Sequence, residues 1–245
     1  MDHRSYDELA LQEDEHWWWS RARQNIAKTL LGRLRLPANA AILDAGCGVG
    51  ANLKWLAPYG DLHAFEIHDG SREIAAKRGL AKVEAGSLPD GIPFGETQFD
   101  LITLLDVLEH IEDDRATLLA LHARLKPGGV LLINVPAFQF LFGPVDVMYH
   151  HFRRYSLREL KQKVEAAGFA VELINYWNFL LFPVAIAVRF YEKLRNIKDS
   201  SIGFKTPAAP INRALTTIVS AERFVVPYVR LPFGLSLMLI ARKKL

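Results

Sequence analysis

Three glycines fall at alternate positions in Ile42-Leu43-Asp44-Ala45-Gly46-Cys47-Gly48-Val49-Gly50, directly behind an apolar run. Glycine adopts backbone angles closed to other residues and lets a ligand approach without meeting a Cβ. Placed where a strand turns into a helix, such a loop suits a nucleoside cofactor. Asp44 closes the apolar run, where its carboxylate could accept hydrogen bonds from a cationic or amine-bearing ligand. Glu66 ends the next apolar run, 20 residues after Gly46, the spacing of a carboxylate that grips both ribose hydroxyls. Gly46-x-Gly48-x-x-Ala51 also satisfies a loose dinucleotide fingerprint, so the loop alone admits a nicotinamide cofactor as well.

A second concentration of reactive groups is Asp146-Val147-Met148-Tyr149-His150-His151-Phe152-Arg153-Arg154-Tyr155. One reading makes His151 or His150 a general base, with Tyr149 beside them and Arg153 or Arg154 holding an anionic substrate group. The other lets Arg154 and Tyr155 tie this loop to the helix that follows. Three of five tryptophans are adjacent at Trp17, Trp18 and Trp19, behind Glu15 and His16 and ahead of Arg21 and Arg23. Successive helical residues diverge by about 100°, so at most two rings share a face. Trp18 is the candidate to cover a pocket and an arginine to meet a carboxylate; packing against 178–235 is the alternative. Cys47 between two glycines reads as a small packing residue, and Glu109-His110 as a helix start or a catalytic pair. His63, His68 and His122 have no partners at metal-ligand spacing, so no metal site is expected.

The elements that must position these groups alternate regularly. Apolar runs at 40–46, 62–67, 80–86, 99–106 and 129–135 read as strands, separated by helix-like stretches that include 114–129. Strands apolar almost throughout and separated by helices argue a mostly parallel sheet buried on both faces. A first helix is expected over about 20–36, ending before Pro37. Ser156 and Glu159 form a capping-box pattern for a helix that closes at Gly168, followed by strands at 169–177 and 236–244. Residues 178–235 break the rhythm with two helix-like pieces. The apolar run Phe179–Val188 is about half the length a bilayer span needs.

The chain has 245 residues, half of them hydrophobic and 23% charged, which excludes disorder as the main state. A single cysteine excludes an internally stapled secreted scaffold and favours a reducing, cytoplasmic compartment. The first residues lack the apolar core of a secretory signal. The net charge of +3 conceals an asymmetry: residues 189–245 hold eleven Lys/Arg against three Asp/Glu, leaving 1–188 net acidic. Nucleic acid is not an expected partner. The basic segment beside an apolar run suggests an amphiphilic or anionic acceptor, or peripheral contact of 178–198 with the inner membrane surface.

Residues 42–50 resemble the first motif of the class I S-adenosylmethionine-dependent methyltransferases, of the small-molecule type. The resemblance continues at Gly86-Ser87-Leu88 with LPDGIPF, at FDLITLLDVLEHI, at LKPGGVLLINVP and over 156–177. Ser87 replaces the acid usual in that family. It implies a Rossmann-like α/β fold with seven strands, helices on both faces and S-adenosyl-L-methionine as cofactor. It further implies one domain: an N-terminal helical cap over 1–36, a core over 37–177, a helical insertion over 178–235 and a last strand over 236–245. On this resemblance Asp44 lies near the methionine amino group, with Ala45, Gly46, Gly48 and Gly50 forming the loop under the cofactor. Glu66 meets the ribose, Ile67 packs on the adenine, Gly86, Ser87 and Leu88 line it, and Leu105 and Asp106 approach the methionine. The acceptor is a small or amphiphilic molecule such as a lipid, quinone or saccharide intermediate. The alternatives are a nicotinamide-dependent oxidoreductase and a non-catalytic S-adenosylmethionine-binding protein at a membrane.

Overall fold

A computed structural model describes residues 17–195, 197 and 207–244, and nothing of the Trp17 side chain. Glu15, His16 and Lys198, with most of the loop after it, lie outside the described residues. The strands are β1 (Ala40–Ala45), β2 (Gly60–Glu66), β3 (Lys82–Ala85), β4 (Phe99–Leu105), β5 (Leu125–Pro136), β6 (Phe169–Trp177) and β7 (Ser236–Lys243). They form one sheet in the order β3-β2-β1-β4-β5-β7-β6. All pairs from β3 to β5 are parallel, and β7 runs antiparallel between β5 and β6.

Period-two alternation in β1 shows why both faces are apolar. Leu43 and Ala45 join one core cluster with Phe99, Leu131 and Tyr155. Ile42 joins the opposite cluster, which is completed by α1 (Trp17–Leu31) through Ala22, Ile26, Ala27, Leu30 and Leu31. Those five lie on one helical stripe. The helix stops five residues earlier than its apolar pattern suggested. Gly32 follows it, a residue that lowers helix stability and ends the run where α1 leaves the sheet.

A second boundary also differs from the sequence expectation. The helix α4 (Asp114–Arg124) does not run on to Gly129, and β5 begins at Leu125. Pro127 cannot donate to a helix, and the residue before a proline is pushed to extended geometry. The remaining helices are α2 (Leu53–Leu56), α3 (Asp69–Lys77), α5 (Pro144–Met148), α6 (Leu157–Ala166), α7 (Phe182–Leu194) and α8 (Ala209–Ala221). Ser156 caps α6 by accepting from the Glu159 N–H at 3.2 Å.

Residues between β6 and β7 carry α7 and α8. α8 lies against α1, with Asn25 Nδ2 donating to Ser220 Oγ at 3.0 Å and the Trp18 N–H to Asn212 Oδ1 at 3.0 Å. Just beyond α8, Glu222 accepts from the N–H groups of Asn178 and Phe179 at 2.5 and 2.9 Å, closing the turn out of β6. Burial lifts the Glu222 carboxyl above its ordinary range, partly offset by these N–H donors. α7 is different: Val184, Phe190 and Leu194 stay exposed along it, Leu194 at 73%. Among the described residues no helix is long and apolar enough to cross a membrane.

Candidate active site

The strand order reverses at β1, with β2 on one side and β4 on the other. Open α/β sheets bind ligands in the crevice at the carboxyl ends of such strands. The glycine loop emerges there. The Gly46 and Cys47 N–H groups both bond the Phe65 carbonyl at 3.0 Å, folding the loop across the end of β2. Gly46 has φ of 72°, and a Cβ there would lie 2.9 Å from the Val107 side chain. Gly48, with φ of 55°, donates its N–H to Glu66 Oε2 at 2.9 Å. Glu66 Oε1 accepts from the His68 N–H at 3.0 Å, so its carboxylate is oriented before any ligand arrives. Ile67, next in the chain, is 72% exposed and offers a bare apolar surface beside that carboxylate.

Asp44 is 1% exposed. Its Oδ1 accepts from the Thr103 hydroxyl at 2.6 Å, while Oδ2 is buried with no hydrogen bond. Burial lifts its pKa to about 6, with the Thr103 hydroxyl, the Arg23 charge and the Asn52 amide pulling back. A buried carboxylate with an orphaned oxygen favours a cationic partner. Leu105, at the end of β4, is buried nearby.

Asp106, directly after β4, has partners of its own within the chain. Its backbone is left-handed (φ 58°) and both carboxylate oxygens are taken inside the chain. Arg23 Nη1 bonds Oδ2, and Asn134 Nδ2 donates to Oδ1 at 2.7 Å. Arg23 also reaches Asn52 Oδ1 at 3.3 Å, and its guanidinium lies 4.7 Å from the centre of the Trp19 ring. Asn134 in turn accepts from Trp177 Nε1 at 2.8 Å. Thus an arginine of α1 does meet a carboxylate, but an internal one. Trp18 is half-buried against the core cluster that α1 completes.

Gly86, Ser87 and Leu88 are closely packed in the turn after β3. A Cβ on Gly86 would lie 2.7 Å from Pro93 and 2.9 Å from Phe65. Ser87 and Gly91 exchange backbone hydrogen bonds at 3.0 Å, and Leu88 leans on the core.

Across the crevice, His151 Nδ1 lies 2.9 Å from Asp146 Oδ1, and the Tyr149 ring stacks on His151. Asp146 is fully buried. Burial alone would lift its carboxyl, but His151, Arg154 and the Gly143 N–H outweigh it and hold it below the ordinary range. His150 is exposed in a left-handed turn (φ 57°) that ends α5. Glu109 and His110 sit on the turn after β4, and the His110 ring meets the His151 ring edge-on at 4.6 Å. Burial first, then the charge of Asp106, holds the Glu109 carboxyl well above its ordinary range. Glu109-His110 stands out in sequence as an adjacent pair, whereas Thr103, Asn134 and the positioning role of Asp146 carry no local signal.

The three residues expected to bind substrate at 153–155 point elsewhere. Arg154 Nε donates to Asp146 Oδ1 at 2.7 Å, and Arg153 pairs with Asp114 at 3.0 Å. Tyr155 is fully buried, its hydroxyl donating to Asp114 Oδ2 at 3.0 Å. Burial first, then Asp114, drives the Tyr155 phenol above its ordinary range. This is the tying role, with the Tyr155 hydroxyl committed to Asp114. Tyr155→Phe should lower stability by about 1.5–3 kcal/mol, the worth of a hydrogen bond to a charged group, in urea unfolding. Cofactor affinity should not change; a loss of affinity without loss of stability would restore a ligand role.

Comparison with known proteins agrees with this geometry. A family model described as a methyltransferase domain matches residues 17–174. The ubiquinone biosynthesis O-methyltransferase of Bordetella avium is 31% identical over 135 residues, 51% of this chain and 53% of that protein. The dTDP-4-amino-2,3,4,6-tetradeoxy-D-glucose N,N-dimethyltransferase of Saccharopolyspora spinosa is 35% identical over 133 residues, again 51% and 53%. The matches span about half the length of these two relatives. The solved S-adenosylmethionine-dependent methyltransferase of Mesorhizobium loti superposes with a TM-score of 0.59 at 15% identity, covering 88% of this chain and 96% of that one. The sheet order, the loop after β1 and the matched family together place the chain in the methyltransferase domain family, with the Rossmann-like fold of class I S-adenosylmethionine-dependent methyltransferases.

Proposed function

We propose that the protein transfers a methyl group from S-adenosyl-L-methionine to a small-molecule acceptor. The observation that carries this is Asp44: a carboxylate 1% exposed, with one oxygen orphaned, beside a glycine loop. The methionine ammonium is a cation that would satisfy that oxygen. Ala45, Gly46, Gly48 and Gly50 supply close backbone approach, Glu66 an oriented carboxylate for the ribose hydroxyls, and Ile67 an apolar face for the adenine. Gly86, Ser87 and Leu88 shape the wall behind that face. Leu105 closes the methionine end, and Asp106 serves it indirectly by anchoring Arg23. When bound, the cofactor supplies an electrophilic methyl group on a sulfonium whose leaving thioether needs no acid.

Positioning two reactants can lower a barrier by about 7–11 kcal/mol, so orientation is the main task of these residues. His151 is the acceptor-side group we assign to the chemistry. Asp146 fixes its Nδ1, leaving Nε2 for a ligand, and Tyr149 holds the ring by stacking. His150 is left to shape the exposed turn, and Arg153 and Arg154 to hold the loop. For the acceptor, the exposed Val184, Phe190 and Leu194 of α7 beside Lys193 and Arg195 support an amphiphilic molecule reached by peripheral contact with an anionic membrane surface.

Calorimetry with S-adenosylmethionine and with NAD(P), followed by transfer of a tritiated methyl group to fractionated cell extract, tests the proposal. Binding of S-adenosylmethionine alone and label in the lipid or quinone fraction are expected. Binding of NAD(P) instead would overturn methyl transfer. Label confined to water-soluble acceptors would overturn the amphiphilic assignment, and binding without any transfer would favour a non-catalytic role.

A further inference from the structure

The turn after β4 and the segment after α5 bring Glu109 and His110 together with His151, 41 residues beyond His110. One ligand atom from each lies within 4.8 Å of the other two. The segments are locked side by side, because the Phe152 N–H donates to the Glu109 carbonyl at 2.8 Å. Glu109 is 1% exposed, and its Oε2 is buried with no hydrogen bond in the chain. Leaving a carboxylate oxygen unsatisfied there is costly unless something binds it.

Each imidazole already has one partner in the chain, as ligating histidines commonly do. A ligating histidine commonly donates its other ring N–H to a carboxylate or a backbone carbonyl, which fixes the ring and its tautomer. His151 holds the buried Asp146 at 2.9 Å. The His110 ring bonds the backbone of Tyr149. His110 is exposed at the rim, so an ion bound there has an entry path and open coordination positions. Asp106 is not a fourth donor, since Arg23 and Asn134 occupy its carboxylate.

We infer that Glu109, His110 and His151 bind one divalent first-row transition ion, with zinc as the fitting example. Two imidazoles and one carboxylate with open positions form a recognised catalytic donor set. Bonds of about 2.0–2.2 Å need the donors roughly 3–4 Å apart, so an ion would draw the three side chains closer together. The sequence expectation of no metal rested on local histidine spacing, and this cluster has none.

The role of the ion rests on the methyl-transfer proposal. A hydroxylated acceptor on the ion would lose its proton to bulk water more readily, as a Lewis acid lowers the pKa of a bound hydroxyl. The oxygen lone pair then forms the bond to the methyl carbon, and the carbon–sulfur pair returns to sulfur as the thioether.

The test uses the tag-free full chain after chelation, without cofactor or acceptor. Titration with Co²⁺ alone, read by visible absorption, and with Zn²⁺ alone, read by calorimetry, should saturate at one ion per chain. His110→Ala and Glu109→Gln should each weaken binding at least tenfold; exposed His110 can be removed without touching the core, so its variant keeps the fold. Absence of binding in the wild type, or undiminished binding in His110→Ala, overturns the inference. Methyl transfer by a chain that binds no ion removes only this inference, whereas ion binding without S-adenosylmethionine binding removes only the methyl-transfer reading.

Discussion

Asp44→Asn should abolish measurable S-adenosylmethionine binding and yet raise the stability of the ligand-free protein at pH 8. Its carboxyl has a pKa of about 6 in the fold, against about 3.9 in an unfolded chain, and burial is the main cause. A folded pKa above the unfolded one means that the native state holds the proton more tightly. The penalty for charging Asp44 is therefore absent below the unfolded value, grows between the two and is complete above about pH 6. Two pKa units correspond to about 3 kcal/mol, an upper bound on what asparagine recovers at pH 8. Near pH 4 the two proteins should differ little. The ligand sees the opposite sign, because breaking a buried charge pair costs about 3–5 kcal/mol, some hundredfold or more in affinity. Scanning calorimetry at both pH values with a cofactor titration at pH 8 checks both halves. A variant less stable than wild type at both pH values would make Asp44 a structural residue and remove the argument.

The same residue shows why the proposed cofactor side of the site can be read from sequence. Asp44, Gly46 and Gly48 fall within five consecutive residues, and an apolar strand ending in a glycine loop leaves them few places to be. Glu66 is one strand further on, and parallel pairing of β1 with β2 brings the two strand ends together by register alone. The acceptor side obeys no such local rule. Whether Arg154 and Tyr155 meet a substrate or a buried aspartate depends on Asp146 and Asp114, and the Asp114 contact spans 41 residues. The same holds for His110 beside His151, which meet only because a turn after β4 and a segment after β5 are hydrogen-bonded together. Even the boundary errors have local physics: Gly32 ended α1 and Pro127 turned a helix tail into the start of β5. Periodicity located the elements, but side-chain pairing across the crevice was decided by tertiary packing.

Arg23 is the strongest instance of such pairing, and Arg23→Met should be the most destabilising change near the site, by about 3 kcal/mol. Its guanidinium is 3% exposed and bridges Asp106 and Asn52 from α1. Removing one partner of a buried ion pair costs about 3–5 kcal/mol because the other charge is left uncompensated. The low end applies, since Asn134 still donates to Asp106 and that side chain is 17% exposed. Arg23→Met/Asp106→Asn should recover part of the loss, because no orphaned charge remains. A double-mutant cycle by urea unfolding measures that coupling, and purely additive losses would show that Arg23 acts by packing alone. The charge also pulls the Asp44 carboxyl downward, so its loss should raise that pKa further. Cofactor binding at neutral pH should then weaken even in chains that remain folded, and recover as the pH is raised and Asp44 ionises. A loss of affinity independent of pH would separate the two effects and leave Arg23 as a brace of α1 only.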